Sequence, residues 1–335
     1  EKEKLRLPFH HRFLIYPLRE MVERDHIFHG HALPNRKRSW NATNLTGGSR
    51  HWAEASESGR AEIARLHREH ALGLMWFLQN DQEVPADLRE KAQAWGLARD
   101  EFPDHDNIPP QLYIREARRL VGRSIFTEHD ALLANGSGRA PVHRDAIGIT
   151  EFSLDSLACT TERGPGTLCD GQLFQMEISR PGQVPYGCLL PRELDNVLVV
   201  TTVSASHVGW GAIRQTPTLM HLAESAAWAT VLARREKITP AAVDVTKLQR
   251  TLVTHGVMIT FFNDVDMGCT ARWLPALQIL GTRGFFEDYD AWPHHPLDAV
   301  TAAKWAKRAG VPEDTIAGQV RGEAADRCLA AMSPS

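Results

Sequence analysis

An α/β fold is the class this sequence predicts, and three observations carry the prediction. The run NVLVVTTV at 196–203 is almost unbroken in β-branched residues, the composition of a strand buried on both faces. A Ser- and Gly-rich turn follows it, and then a long apolar stretch suited to a helix at 217–234. Upstream, helical stripes give way to a middle region of short apolar or alternating runs, the pattern of strands.

The elements follow in order. Residues 1–30 are mixed and basic, with a short helix expected at 14–23, and residues 31–55 read as a loop by their Gly, Asn and Ser content. Ile63, Leu66, His70, Leu74 and Phe77 recur at steps of three or four, one apolar stripe of a helix that begins at Ser56. A second helix starts at Pro85, a good first-turn residue, and carries Leu88, Ala92 and Trp95. DEFPDHDNIPP at 100–110 is a connecting loop. Strands are expected at 112–121, 124–127, 147–154 and 173–178, punctuated by Gly136, Gly138, Gly164-Pro165-Gly166 and Pro181-Gly182. Beyond Thr239-Pro240 the chain is mostly helical, including 241–255 and 297–309.

Composition narrows the function classes. The chain has 335 residues, 43% of them hydrophobic and 24% charged, a balance that excludes wholesale disorder. No apolar run approaches the roughly 20 residues of a membrane-spanning helix. A net charge of −3 with scattered Lys and Arg gives no footprint for nucleic acid. The five cysteines are widely spaced, odd in number and never in C-x-x-C, which argues for free thiols and against a zinc ribbon. His67 and His70 lie on one helix without H-E-x-x-H or a third ligand, so no metal site is expected. The Asp pairs 104/106, 264/266 and 288/290 do not continue into a calcium loop. Ser204 and Ser206 flank His207 without the G-x-S-x-G of a hydrolase.

The chemistry concentrates where the buried run ends. The turn Ser204-Ala205-Ser206-His207-Val208-Gly209-Trp210-Gly211 leads to a helix expected to open at Thr216, as N-cap, and Pro217. Strand, turn and helix in that order aim backbone N–H groups and a positive dipole end at one point, which suits a phosphate or an electron-rich ring edge. Gly209 and Gly211 would let a ligand approach the backbone, and Arg214 adds a positive charge. The other reading is a plain strand–helix unit whose glycines only make the turn.

These residues also carry a resemblance. Val184-Pro185-Tyr186, Leu190-Pro191 and NVLVVTTVSASHVGWGAIRQTPTLMHLAESAA closely resemble the carboxyl-terminal signature of FAD-dependent oxidoreductases of glutathione-reductase-like architecture. LYIREARRLVGRSIFTEHD at 112–130 matches a second signature, and the pattern around 72–97 a third. The resemblance implies a fold in which 1–190 form a substrate-side α+β region, 191–236 the returning strand and helix of an FAD domain, and 237–335 a helical tail. Within the tail, Phe262-Asn263-Asp264-Val265, Gly284-Phe285-Phe286 and the helix at 297–305 are similar to a surface-layer-homology module, expected as a packing subdomain.

It further implies hydride transfer from a small organic substrate to flavin. Ser204, Ala205, Ser206, Gly209, Gly211, Ile213, Gln215 and Thr216 would line the cofactor. Arg214 and the helix start would stabilise negative charge on the reduced ring. His207 would be the acid/base or substrate-orienting group, since an ordinary imidazole titrates at about 6.5. Arg115, Glu116 and Arg119, within a charge run that a solvated face also explains, would anchor an anionic group or a domain contact. One expected part is missing: no G-x-G-x-x-G stands anywhere in the sequence. The chain, which also begins without Met, is therefore expected to be a fragment or to have its ADP half held by an upstream segment or partner chain, and to bind FAD weakly by itself. The competing expectation is a non-catalytic subunit that completes a partner's FAD domain.

Overall fold

The computed structural model describes residues 32–38, 45–162, 164–166 and 173–332. The helix expected at 14–23 and Cys169 lie outside the described residues; the other four cysteines are free thiols. The chain divides into two compact units, Glu1–Ala117 with Ala158–Asp170, and Arg118–Leu157 with Gly171–Ser335. The expected boundaries at 190/191 and 236/237 both fall inside the second unit.

In the first unit, β1 (Ala32–Leu33) and β2 (Lys37–Arg38) form a small antiparallel pair. Helix α1 (Glu57–Asn80) begins where the sequence places it, because Ser56 accepts a hydrogen bond from the Gly59 N–H at 3.2 Å and satisfies an orphan donor of the first turn. Pro85 is the N-cap of α2 (Ala86–Gln93). The two helices pack through Leu74, Leu78, Leu88 and Ala92, all buried. Gln79 ties them by donating to the carbonyls of Ala92 (3.1 Å) and Trp95 (2.8 Å). Trp95 itself lies beyond the helix that was expected to carry it.

The second unit is mixed: helices around short antiparallel sheets, compatible with α/β. β3 (Ala146–Thr150) pairs with β6 (Gly182–Pro185), and β4 (Leu154–Ser156) with β5 (Leu173–Gln175). The single strand expected over 147–154 is thus two, and 112–121 forms none. Helix α3 (His207–Ile213) leads into α4 (Thr216–Glu236), which packs on β3, where the Ser225 hydroxyl donates to the Ile147 carbonyl at 2.6 Å. One core gathers Phe126, Ile147, Val184, Val203, Ile213 and Leu222 with α5 (Val245–Thr254). A second core in the tail unites α6 (Leu274–Gly281), α7 (Ala299–Ala309) and α8 (Arg321–Ala331) around Trp305, whose indole N–H donates to the Phe285 carbonyl at 2.9 Å.

The largest departure from expectation is 196–203, which is not a strand. Val199 N–H donates to the Leu189 carbonyl (2.9 Å) and the Thr202 carbonyl accepts from Leu120 N–H (2.8 Å). No other backbone hydrogen bond of the run is made among the described residues. Val203 is fully buried, but Val197 is 36% exposed, so the run is not covered on two faces. A parallel strand exists only through its neighbours' N–H and C=O groups. Among the described residues the two bonds above do not make such a ladder.

Candidate functional site

The turn ahead of α3 is held by the segment that precedes β3. Gly122 N–H donates to the Ser204 hydroxyl at 3.1 Å. Phe126 N–H donates to the Ser204 carbonyl (3.1 Å), and Ser206 N–H returns a bond to the Phe126 carbonyl (2.8 Å), a parallel bridge across Ala205. Arg119 Nε donates to the Ala205 carbonyl at 3.0 Å. Ser206 Oγ donates to Glu128 Oε2 at 3.1 Å. Gly122 is obligatory, since a Cβ there would stand 2.7 Å from Ser204 Cβ and 3.0 Å from the Gly187 carbonyl oxygen. Three sequence segments, 118–130, 184–191 and 203–214, therefore meet around one turn.

The helix opens earlier than its spacing suggests. Ser206 caps it by accepting from Gly209 N–H at 3.0 Å, so α3 begins at His207 and both glycines lie inside it. The space over them is taken by protein. A Cβ on Gly209 would be 2.7 Å from the Phe126 carbonyl oxygen, and one on Gly211 would be 2.6 Å from that of Asp155. Their role in this unit is close helix packing, which offsets glycine's helix cost of about 1 kcal/mol each. Thr216 is not a cap either: Gln215 holds the N-cap position of α4, Thr216 is its first residue, and Pro217 follows.

His207 and Arg214 stand at the two ends of α3. His207 Nε2 lies 2.9 Å from the Ser156 hydroxyl. Arg214, the C-cap, is buried and pairs through Nη2 with Asp155 Oδ2 at 2.7 Å. Ile213 is fully buried beside it. Of the charge run, Arg115 stacks over Tyr113 at 5.5 Å and belongs with Glu116 to the first unit, whereas Arg119 belongs to the second.

Several groups were missed from sequence. Asp130 closes the 112–130 motif and is buried. It accepts from Thr127 N–H (2.7 Å) and faces His143 Nε2 at 2.8 Å. Burial pushes its carboxyl up, but the bonds from His143 and Thr127 outweigh that and hold it below the ordinary range. Glu128 stands inside the same motif, whereas Asp155 and Ser156 lacked any signal beyond residue type. The Cys188 thiol, in the same core, is pushed up to about 12 by burial, so it is no nucleophile at neutral pH.

The family model described as FAD dependent oxidoreductase matches residues 3–252 of the 335. The chain belongs to the FAD-dependent oxidoreductase family. Neither a curated protein nor a solved structure matches it. Membership implies FAD as cofactor. Among the described residues, no helix is long and apolar enough to cross a membrane. In this FAD-dependent oxidoreductase the residues that could meet one end of the cofactor lie at the start of α4. Its N-terminus, like those of α2, α6 and α8, takes no hydrogen bond from a capping side chain, and Arg214, paired with Asp155, precedes it. Unsatisfied N–H groups at the positive end of a long helix fit an electron-rich ring edge. For the pyrophosphate the fit fails: no G-x-G-x-x-G is present, and the approach over Gly209 and Gly211 is filled.

Proposed function

We propose that the chain is the ring-side part of a flavoenzyme of glutathione-reductase-like architecture that oxidises a small organic substrate. The observation that supports this most is the convergence of segments 118–130, 184–191 and 203–214, drawn from two of the family signatures, on the turn that opens α3. Bound FAD would supply the two-electron acceptor for a hydride leaving the substrate. Thr216 and the first turn of α4 would offer N–H donors to the ring, with Arg214 as the neighbouring charge and Ser204, Ala205, Ser206, Ile213 and Gln215 shaping the approach; Gly209 and Gly211 serve it by letting α3 sit close. His207 takes or delivers the proton that accompanies oxidation. Arg119, bonded to the Ala205 carbonyl, anchors the turn within the second unit.

The pyrophosphate half is supplied by a strand–turn–helix unit from another segment or a partner chain. The run 196–203 favours this: among the described residues only its Val199 N–H and Thr202 carbonyl are hydrogen-bonded in the backbone, and a β-branched run with open N–H and C=O groups is an edge that accepts a strand. The same feature favours the second reading, a subunit that completes a partner's FAD domain without itself carrying catalysis.

A visible spectrum tests both. The chain alone is expected to retain little FAD. Isolated with its complementing unit, it is expected to show flavin bands at about 370 and 450 nm, typical of the cofactor itself. Tight stoichiometric FAD in the chain alone would overturn the shared site. In the complemented protein, His207→Asn should keep the flavin and slow its reduction by substrate about a hundredfold. Loss of flavin with a normal residual rate would make the histidine structural and favour the second reading.

A further inference from the structure

We infer that β4 is a positioning strand: Ser156 orients the His207 imidazole and Asp155 orients the Arg214 guanidinium. The inference rests on the roles proposed for His207 and Arg214. Neither Ser156 nor Asp155 falls in any of the family motifs.

The geometry is that of a short template. β4 has three residues, held by pairing with β5, and α3 lies on it closely enough that Gly211 meets the Asp155 backbone with no room for a Cβ. The helix is pinned to the strand at both ends. At its first residue, His207 Nε2 meets Ser156 Oγ at 2.9 Å; at its C-cap, Arg214 Nη2 meets Asp155 Oδ2 at 2.7 Å. Ser156 is 2% exposed, so water does not compete for its hydroxyl, and that hydroxyl has no other hydrogen bond among the described residues. The hydrogen bond between the buried Ser156 hydroxyl and Nε2 fixes the direction of that edge of the His207 ring. A guanidinium paired to a carboxylate on the same strand has its direction fixed as well. Preorganisation of this kind is what distinguishes a reactive side chain from one that samples several rotamers.

The test uses the full chain with nitrogen-labelled histidine, and needs no flavin. The His207 ring signals are assigned by difference with His207→Asn. Ser156→Ala and the near-isosteric Ser156→Cys should each shift the His207 Nε2 signal and speed ring reorientation by roughly three- to tenfold, the scale of one neutral hydrogen bond. Ser156→Thr, which keeps the hydroxyl, should restore the native signals. Unchanged His207 signals in folded Ser156→Ala and Ser156→Cys would overturn the inference. A second readout separates it from the proposed function. In the flavin-loaded, complemented protein, changed His207 signals with unchanged substrate-driven reduction leave Ser156 as the orienting residue and remove the catalytic role of His207. Changed signals together with a reduction rate lowered by a similar factor, and restored by Thr, support both.

Discussion

Residues 204–216 and 196–203 adjoin in sequence and differ in almost everything else. In 204–216 the polar groups named above are paired, a serine caps a helix, and two glycines are filled by neighbouring backbone. In 196–203, whose side chains read most clearly as a strand, two backbone groups find partners among the described residues and the rest do not. The difference teaches where each kind of structure gets its hydrogen bonds. A helix closes its own ladder within four residues. A strand borrows its ladder from elsewhere in the chain, or from another chain.

Amide exchange should show the contrast most strongly. The interior of α4, with Leu222, Ala229 and Leu232 buried, is expected to be protected about a thousandfold or more, while Val197, Leu198 and Val200 exchange near the rate of an open chain. Comparable protection in both would break the comparison. Slow exchange at 197–200 that emerges only with a complementing unit would sharpen it.

Gly211→Val comes next. Its new side chain meets the Asp155 backbone, which cannot yield as a flexible side chain would, so a loss of about 3 kcal/mol in denaturant unfolding is expected, the upper part of the overpacking range. A loss under about 0.5 kcal/mol would mean that α3 does not rest on β4.

Asp130→Asn tests the support beneath the turn, with an expected cost of about 1–3 kcal/mol for an impaired buried hydrogen-bond network. Its pH dependence has a definite sign. The folded carboxyl titrates below its ordinary 3.8, so its contribution is fully present above that value and is lost as pH falls below it. The gap between wild type and Asp130→Asn should therefore be constant at neutral pH and shrink under acid conditions. A gap that widened below pH 3.8 would contradict the pairing.

The smallest effects divide the run itself. Val203→Thr places a hydroxyl at a fully buried site and should cost about 1–2 kcal/mol, whereas Val197→Thr, at 36% exposure, should stay within about 0.5. Equal costs would mean that 196–203 is covered along its whole length.

Helices were the legible part of the sequence. Ser56 and the stripe through His70 and Leu74 gave α1, and the apolar stretch after Thr216-Pro217 gave α4 within two residues at each end. α3 was hidden by its glycines, which lower helix propensity; the signal that could have found it was Ser206 as a cap, with Gly209 three residues on. The turn's residues were visible as a group, and the structure does bring Arg119 to Ala205. Asp155 and Ser156 were not visible, because a short strand with one acid and one serine resembles any other until something packs on it.

What the sequence by itself determined is what side-chain periodicity and local composition determine: the long helices, the membership in a flavoprotein family and the missing phosphate-binding glycines. Tertiary structure alone decided that Gly122, Gly209 and Gly211 are spacers, that Arg214 faces Asp155 and His207 faces Ser156, and that NVLVVTTV forms no strand. The physical reason is separation along the chain. Each of those contacts joins residues whose meeting depends on loop closure and close packing, and side-chain type fixes neither until the partner surface is in place.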